Sequence, residues 1–295
     1  MKSTVRKTAI GILAAAFAFA LTASSVAPAA AADPGVTPTE IFLGGTHPYS
    51  GPASAYGNIG RGIGAYFSYV NDQGGVYGRK IKYVDKDDGY SPPQAVQLVH
   101  QLVERDHAFA IFDTLGTAVN TAIRPYLNQN GVPHLFVASG ATTWGKDYKQ
   151  YPWTIGWQPD YQSEAIFFAQ DILKNRPKAK IGVLYQNDDY GEDYNAGLKT
   201  GLGQHQNMIV KMASYETSDP SVGSQISALQ ASGADTLMIF ATPKFAIQAM
   251  VLAAQQSWHP AIYLNAVSNV IPYMNAAAKA GGPSAVGRYL AMISL

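Results

Sequence analysis

Several short segments of this 295-residue chain place hydroxyls and glycines directly after apolar runs. They are Tyr49-Ser50-Gly51-Pro52, Thr114-Leu115-Gly116-Thr117, Ala138-Ser139-Gly140-Ala141-Thr142, Gln186 to Gly191 and Thr242-Pro243. Small residues let backbone N–H groups and hydroxyls approach an anion without bulk, so the chemistry they offer is hydrogen-bonded capture of a carboxylate. Taken singly, each is equally a helix cap. The chemistry of catalysis is not visible beside them. His47, His100, His107, His134, His205 and His259 are scattered, without metal-ligand spacing. No Gly-x-Ser-x-Gly nucleophile turn occurs. Asp85, Asp87 and Asp88, ending at Gly89, lack the spacing of a calcium loop and read as a solvated strand end. Asp188 and Asp189 read as loop surface or, because Tyr190 follows, as neighbours of a ligand. Gly60-Arg61-Gly62-Ile63-Gly64 departs from dinucleotide-loop spacing and reads as small residues for close packing in a helix. The expectation is a binding protein with no cofactor and no metal, not an enzyme.

Those segments need strands and helices to aim them. From residue 33 onward, short apolar runs alternate with amphipathic stretches, the pattern of parallel α/β sheets. Ile41–Gly44, Lys80–Val84, Ala108–Phe112 and His134–Ala138 read as strands of a first block. Helices are expected over Tyr56–Asn71, from Pro92 through Arg105, and over Ala118–Asn128. A connector with Trp144, Trp153, Trp157, Pro152 and Pro159 follows, and the alternation then restarts. The division expected is 1–32 signal peptide, 33–153 first lobe, 154–283 second lobe, and 284–295 the start of a return to the first lobe.

Composition agrees with hydrogen-bonding sites more than with ionic ones. Charged residues make up 14%, against roughly 25% in ordinary domains, while tyrosine occurs 18 times. A net charge of +1 supplies no field for nucleic acid. Lys2, Arg6 and Lys7, the apolar run Ala9–Ala23 and the small residues Ala27–Ala32 have the layout of a cleaved secretory signal. With no cysteine for disulfides or lipid attachment, a soluble periplasmic protein is expected, in a cell with two membranes.

Ser50-Gly51-Pro52, Tyr56-Gly57, Asn71-x-x-Gly74-Gly75, Asp87-Asp88, Pro93-Gln94-Ala95-Val96 and Tyr190-Gly191-Glu192 together resemble the leucine/isoleucine/valine-binding protein family. The likeness runs from Ile41 to about Gly287. It implies the type I periplasmic binding protein fold: two Rossmann-like lobes of parallel sheets flanked by helices, hinge-linked, closing on a ligand. It also implies roughly a further hundred residues completing the first lobe, so the chain reads as truncated. Carried over residue by residue, Thr117 matches the hydroxyl that binds the ligand carboxylate and Ala138 the backbone donor. Gly140 stands at a threonine position, with Ser139 as a substitute, and Leu115, Gly116 and Ser50 belong to the same loops. Tyr190 matches the tyrosine over the ligand. Thr242 replaces a tyrosine, and Ala266, beside Asn265, falls where a glutamate holds an amino acid's ammonium. A buried ammonium without a counter-charge costs several kcal/mol.

Ser139-Gly140-Ala141 through Trp144-Gly145, with Trp157-Gln158-Pro159, resembles a subgroup associated with aromatic or other non-amino carboxylates. Trp144, Tyr56, Tyr190 and Trp157 are the rings that would stack on a flat ligand; hinge and core packing are the alternatives for the two tryptophans. The expected function is the periplasmic solute-binding component of an ABC importer. It would act as a monomer, capturing a small carboxylate and passing it to an inner-membrane permease. The family implies a branched-chain amino acid, the site residues an aromatic or aliphatic acid, and a chemoreceptor is the alternative partner.

Overall fold

The computed structural model describes residues 33–286 and 289–291; the expected signal peptide lies outside them. Five parallel strands, β1 (Glu40–His47), β2 (Lys80–Asp87), β3 (Ala110–Phe112), β4 (His134–Val137) and β5 (Thr154–Gly156), form a first sheet in the order β2-β1-β3-β4-β5. Five more, β6 (Ile181–Gln186), β7 (Ile209–Tyr215), β8 (Thr236–Phe240), β9 (Ala261–Leu264) and β10 (Tyr289–Ala291), form a second in the order β10-β9-β8-β6-β7. All pairings between these strands are parallel.

Helices α1 (Asn58–Asp72), α2 (Pro92–His100), α3 (Thr117–Gln129) and the short α4 (Thr143–Lys146) accompany the first sheet. Successive strand residues point to opposite faces, so Phe42 packs with Val99 of α2 and Ile123 of α3, while Leu43 packs with Phe67 of α1. The second sheet carries α5 (Tyr161–Asn175), α6 (Asp189–Leu202), α7 (Gly223–Ala231), α8 (Pro243–Gln255), α9 (Ile271–Gly281) and the short α10 (Pro283–Val286). Val183, Met238 and Phe240 face α5 and α6, whereas Leu184, Leu237 and Ile239 face α7 to α9. Strands covered on both faces read as unbroken apolar runs, which is why the alternation was visible in sequence.

Two expected boundaries differ. The segment Thr154–Gly156, assigned to the second lobe, is β5 and pairs with β4 in the first sheet. Three residues flanked by Trp153 and Trp157 give no strand periodicity to read. The strand near the C-terminus was expected to begin a return to the first lobe. Tyr289–Ala291 instead pairs in register with Ile262–Leu264 of β9, the open edge of the second sheet. Helix α6 begins at Asp189, where the Asp188 carboxylate accepts the Tyr190 N–H and caps it.

Candidate ligand-binding cleft

The carboxyl ends of both sheets face one another across a cavity of about 40 Å³. From the first lobe come Tyr56, Tyr90, Leu115, Gly116, Thr117 and Ala138. The second contributes Tyr161, Tyr190, Thr242 and Val267. This volume holds about one water, so an acid of amino-acid size enters only with the lobes further apart. At its rim a wider groove of about 520 Å³ opens between Ser54, Ala55, Thr217, Lys244 and Tyr273.

The first-lobe wall is built of donors. Gly116 caps α3 with φ +103°, and a Cβ there would stand 2.5 Å from the Tyr90 ring, so both backbone and space require glycine. The unpaired N–H groups of the first turn of α3 and the helix dipole favour an anion at this point. Thr117 Oγ1 and Ser139 Oγ lie 2.7 Å apart, both buried, and Ser139 Oγ also accepts the Ala141 N–H at 3.2 Å.

The second-lobe wall is built of phenols. Tyr161 opens α5 behind the capping residue Asp160, whose carboxylate accepts the Ser163 N–H at 2.8 Å. Tyr161 meets Tyr190 edge-on at 5.2 Å and stacks on Tyr194 at 4.5 Å. A hydrogen-bond chain fixes this wall. The Thr242 N–H donates to Tyr215 Oη, whose hydroxyl donates to Gln186 Oε1; Gln186 Nε2 donates to Asp188. Asn265 Nδ2 donates to Tyr190 Oη and to the Ala241 carbonyl. Behind Tyr161, the carboxylate of Glu164 accepts the Ala266 N–H at 2.7 Å and the Tyr194 hydroxyl at 2.6 Å. Burial raises the Glu164 carboxyl to about 7 against the pull of those two bonds.

The lobes are tied across the cleft in both directions. Tyr56 of the first donates to the Val267 carbonyl at 3.1 Å, and Tyr273 of the second donates to the Ala55 carbonyl at 3.1 Å. Further along the seam, Thr121 Oγ1 reaches Asp189 at 3.2 Å and the Thr142 N–H reaches Asp193 at 2.9 Å.

Of the residues picked out by sequence, Tyr56, Leu115, Gly116, Thr117, Ala138, Tyr190 and Thr242 line the cavity. Ser139, Asn265 and Ala266 stand one layer behind it through the bonds above. Gly140 packs against Tyr161, whose ring a Cβ would meet at 2.6 Å. Ser50 lies exposed on its loop, its N–H bonded to Asp87 at 3.1 Å. Trp144, expected to stack on a flat ligand, is buried between the Arg124 guanidinium and Gly156 of β5 and is not among the residues lining the cavity. Trp157 is largely exposed and donates to Asp113 at 3.0 Å, at the crossing from β5 to α5.

The aspartates at the end of β2 are not a solvated end. Asp88 is fully buried and accepts the Tyr90 N–H, and Asp85 binds the buried His47. Gly60 serves this cluster, since a Cβ would fall 2.0 Å from Asp85 Oδ2. Sequence reasoning missed Tyr90, Tyr161 and Val267. For Tyr161 the signal was present: an Asp cap followed by an aromatic at the head of a helix, one residue beyond Pro159-Asp160.

Two parallel α/β lobes meeting over a donor-lined cavity have the architecture of a bilobal solute-binding protein. The periplasmic binding protein family model matches residues 40–292, and the chain belongs to that family, in its type I, leucine/isoleucine/valine-binding-protein branch. It is 24% identical over 187 residues to a leucine-specific-binding protein of Salmonella typhimurium, covering 63% of this chain and 50% of that one. The chain spans about half the length of the curated relatives it matches. Among solved structures, a substrate-binding periplasmic protein from Ralstonia solanacearum superposes with a TM-score of 0.75 at 25% identity, over 84% of this chain and 69% of that one. A solute-binding protein of an ABC transporter from Rhodopseudomonas palustris BisB5, in complex with 3,4-dihydroxybenzoic acid, shares the fold with a TM-score of 0.68 at 19% identity. That match covers 78% of this chain and 62% of the other. Among the described residues there is no cluster able to hold a metal ion, and no helix is long and apolar enough to cross a membrane.

Proposed function

We propose that this chain captures a small carboxylic acid between its lobes by closure, and presents the closed complex to the permease of an ABC importer in the periplasm. The observation that carries this reading is the Thr117–Ser139 hydroxyl pair at the N-terminus of α3, with Thr117 in the lining shared by both lobes and Ser139 bonded to it from behind. A ligand carboxylate there meets hydroxyls, free amides and a helix dipole together, while the second lobe covers its body with phenol rings. Capture needs no bond making, and the reading assigns the chain no catalytic step.

Titration calorimetry with L-leucine, L-phenylalanine, benzoate and 4-hydroxycinnamate tests this. Thr117→Val and Ser139→Ala each remove a hydroxyl that would bond an ionised group, and each is expected to weaken the best ligand by about 10- to 100-fold. Full affinity in both variants sinks the placement of the carboxylate.

A second reading is that the acid lacks an ammonium. Among the described residues no charged side chain lines the inner cavity, and the rings of Tyr56, Tyr90, Tyr161 and Tyr190 do. The dihydroxybenzoate held by the Rhodopseudomonas protein is an acid of this class.

A further inference from the structure

The loop after β9 carries Asn265, Ala266, Val267 and Ser268, with no acid among them. The structure nevertheless brings a carboxylate to it from another element. Glu164 lies one turn beyond Tyr161 on α5 and is almost wholly buried. Its two oxygens are divided between the Ala266 amide and the Tyr194 hydroxyl. Each partner adjoins the cavity lining: Val267 follows Ala266, and Tyr194 lies one turn after Tyr190 and stacks on Tyr161. The loop it holds is also the one that Tyr56 of the first lobe reaches at the Val267 carbonyl.

We propose that Glu164 is the positioning and specificity-determining residue of the second-lobe wall. From behind the tyrosines it fixes the Asn265–Ser268 loop for closure and sets whether the cleft favours an acid with an ammonium or one without. This rests on the reading of the cleft as a carboxylate site. Ionised, Glu164 attracts an ammonium seated against the tyrosines and repels a second anion; protonated, it does neither. Burial places the change near neutrality. The other titratable groups packed against it are phenols: burial raises Tyr161 to about 12 and Tyr194 well above the usual tyrosine range, and both stay neutral there. The sign follows: affinity for an amino acid rises as pH passes upward through about 7, and affinity for the same acid without its amino group falls.

The test compares L-leucine with 4-methylpentanoate, which differ only in the ammonium, by calorimetry from pH 5.5 to 8 on the whole chain. The ratio of their affinities is expected to move toward leucine by on the order of tenfold across that range. Glu164→Gln keeps an oxygen for the Ala266 amide, so it is expected to bind both probes with a ratio independent of pH. Glu164→Leu is expected to weaken both. An E164Q variant with the parent's pH slope overturns the role of Glu164 while leaving the cleft intact. If neither probe binds the parent at any pH, the cleft reading fails and this proposal fails with it.

Discussion

The two walls of the cleft keep their charge in opposite ways. Behind the first-lobe wall stand two buried histidines held in fixed and different states. His47 has Nδ1 2.9 Å from Asp85 and Nε2 3.5 Å from Asp113. Burial pulls its pKa down, but the neighbouring carboxylates of Asp113 and Asp85 outweigh this and raise it to about 9. His134, equally buried, has Thr114 and Asn120 as partners at 2.9 and 2.8 Å. Burial, with the Arg124 charge adding to it, lowers its pKa to about 3. Between those two values neither ring changes state. Behind the second wall Glu164 changes state in the middle of that interval. The lobe that offers donors to an anion is electrostatically rigid, and the lobe that closes over the ligand is adjustable. Partners, not depth, decide this, because all three side chains are buried.

Removing a partner from the charged histidine should break the rigid wall most severely. In Asp85→Ala, His47 loses its shorter ion pair and Tyr49 loses the carboxylate that accepts its hydroxyl at 2.5 Å. Stripping one member from a buried pair costs about 3–5 kcal/mol, so urea unfolding at pH 7 should show a loss of that size. A loss below about 1 kcal/mol would mean the pair is solvated and the first wall is not held by charge.

The neutral histidine predicts the next largest effect, visible in acid. Its folded pKa lies below the unfolded value of 6.5. Its contribution is therefore fully present above 6.5 and is lost as pH falls toward 3. At pH 4 the unfolded chain binds a proton there that the folded chain does not, a deficit of about 3 kcal/mol. His134→Gln should lose correspondingly less stability than the parent between pH 7 and pH 4, measured by denaturant midpoint at each pH. Parallel losses would show that acid sensitivity resides in other groups.

How much of this contrast was legible in sequence follows from what each residue's neighbours are. Strand ends announce themselves, because an apolar run stopping at Thr114-Leu115-Gly116-Thr117 or Ala138-Ser139 needs only local reading, and those residues do line or back the cavity. The fold was legible for the same reason, apart from three-residue β5 and the placement of β10. Glu164 was not, since Ser163-Glu164-Ala165 on an amphipathic helix looks like solvent-facing surface until α6 and the β9 loop are laid over it. Trp144 went the other way: the resemblance of its segment to an aromatic-acid subgroup suggested a ligand platform, yet it packs on Gly156 as a core residue, the alternative reading. His47 and Asp85 are 38 residues apart and meet only because β1 and β2 pair in register.

The smallest expected effect concerns what joins the walls. Tyr56 reaches the carbonyl of Val267, and Tyr273 reaches that of Ala55, so each lobe donates a phenol to the other beside its partner's anchor. A net hydrogen bond contributes about 0.5–1.5 kcal/mol. Tyr56→Phe and Tyr273→Phe keep the rings and remove only these bonds. Each should lower the fraction of closed molecules and reduce ligand affinity by about 2- to 12-fold. The two losses should combine less than additively, since opening after the first leaves the second bond already broken. Small-angle scattering with and without ligand reads the lobe separation directly. If both variants close as the parent does, the clasp is incidental, and closure rests on the adjustable wall and the ligand it covers.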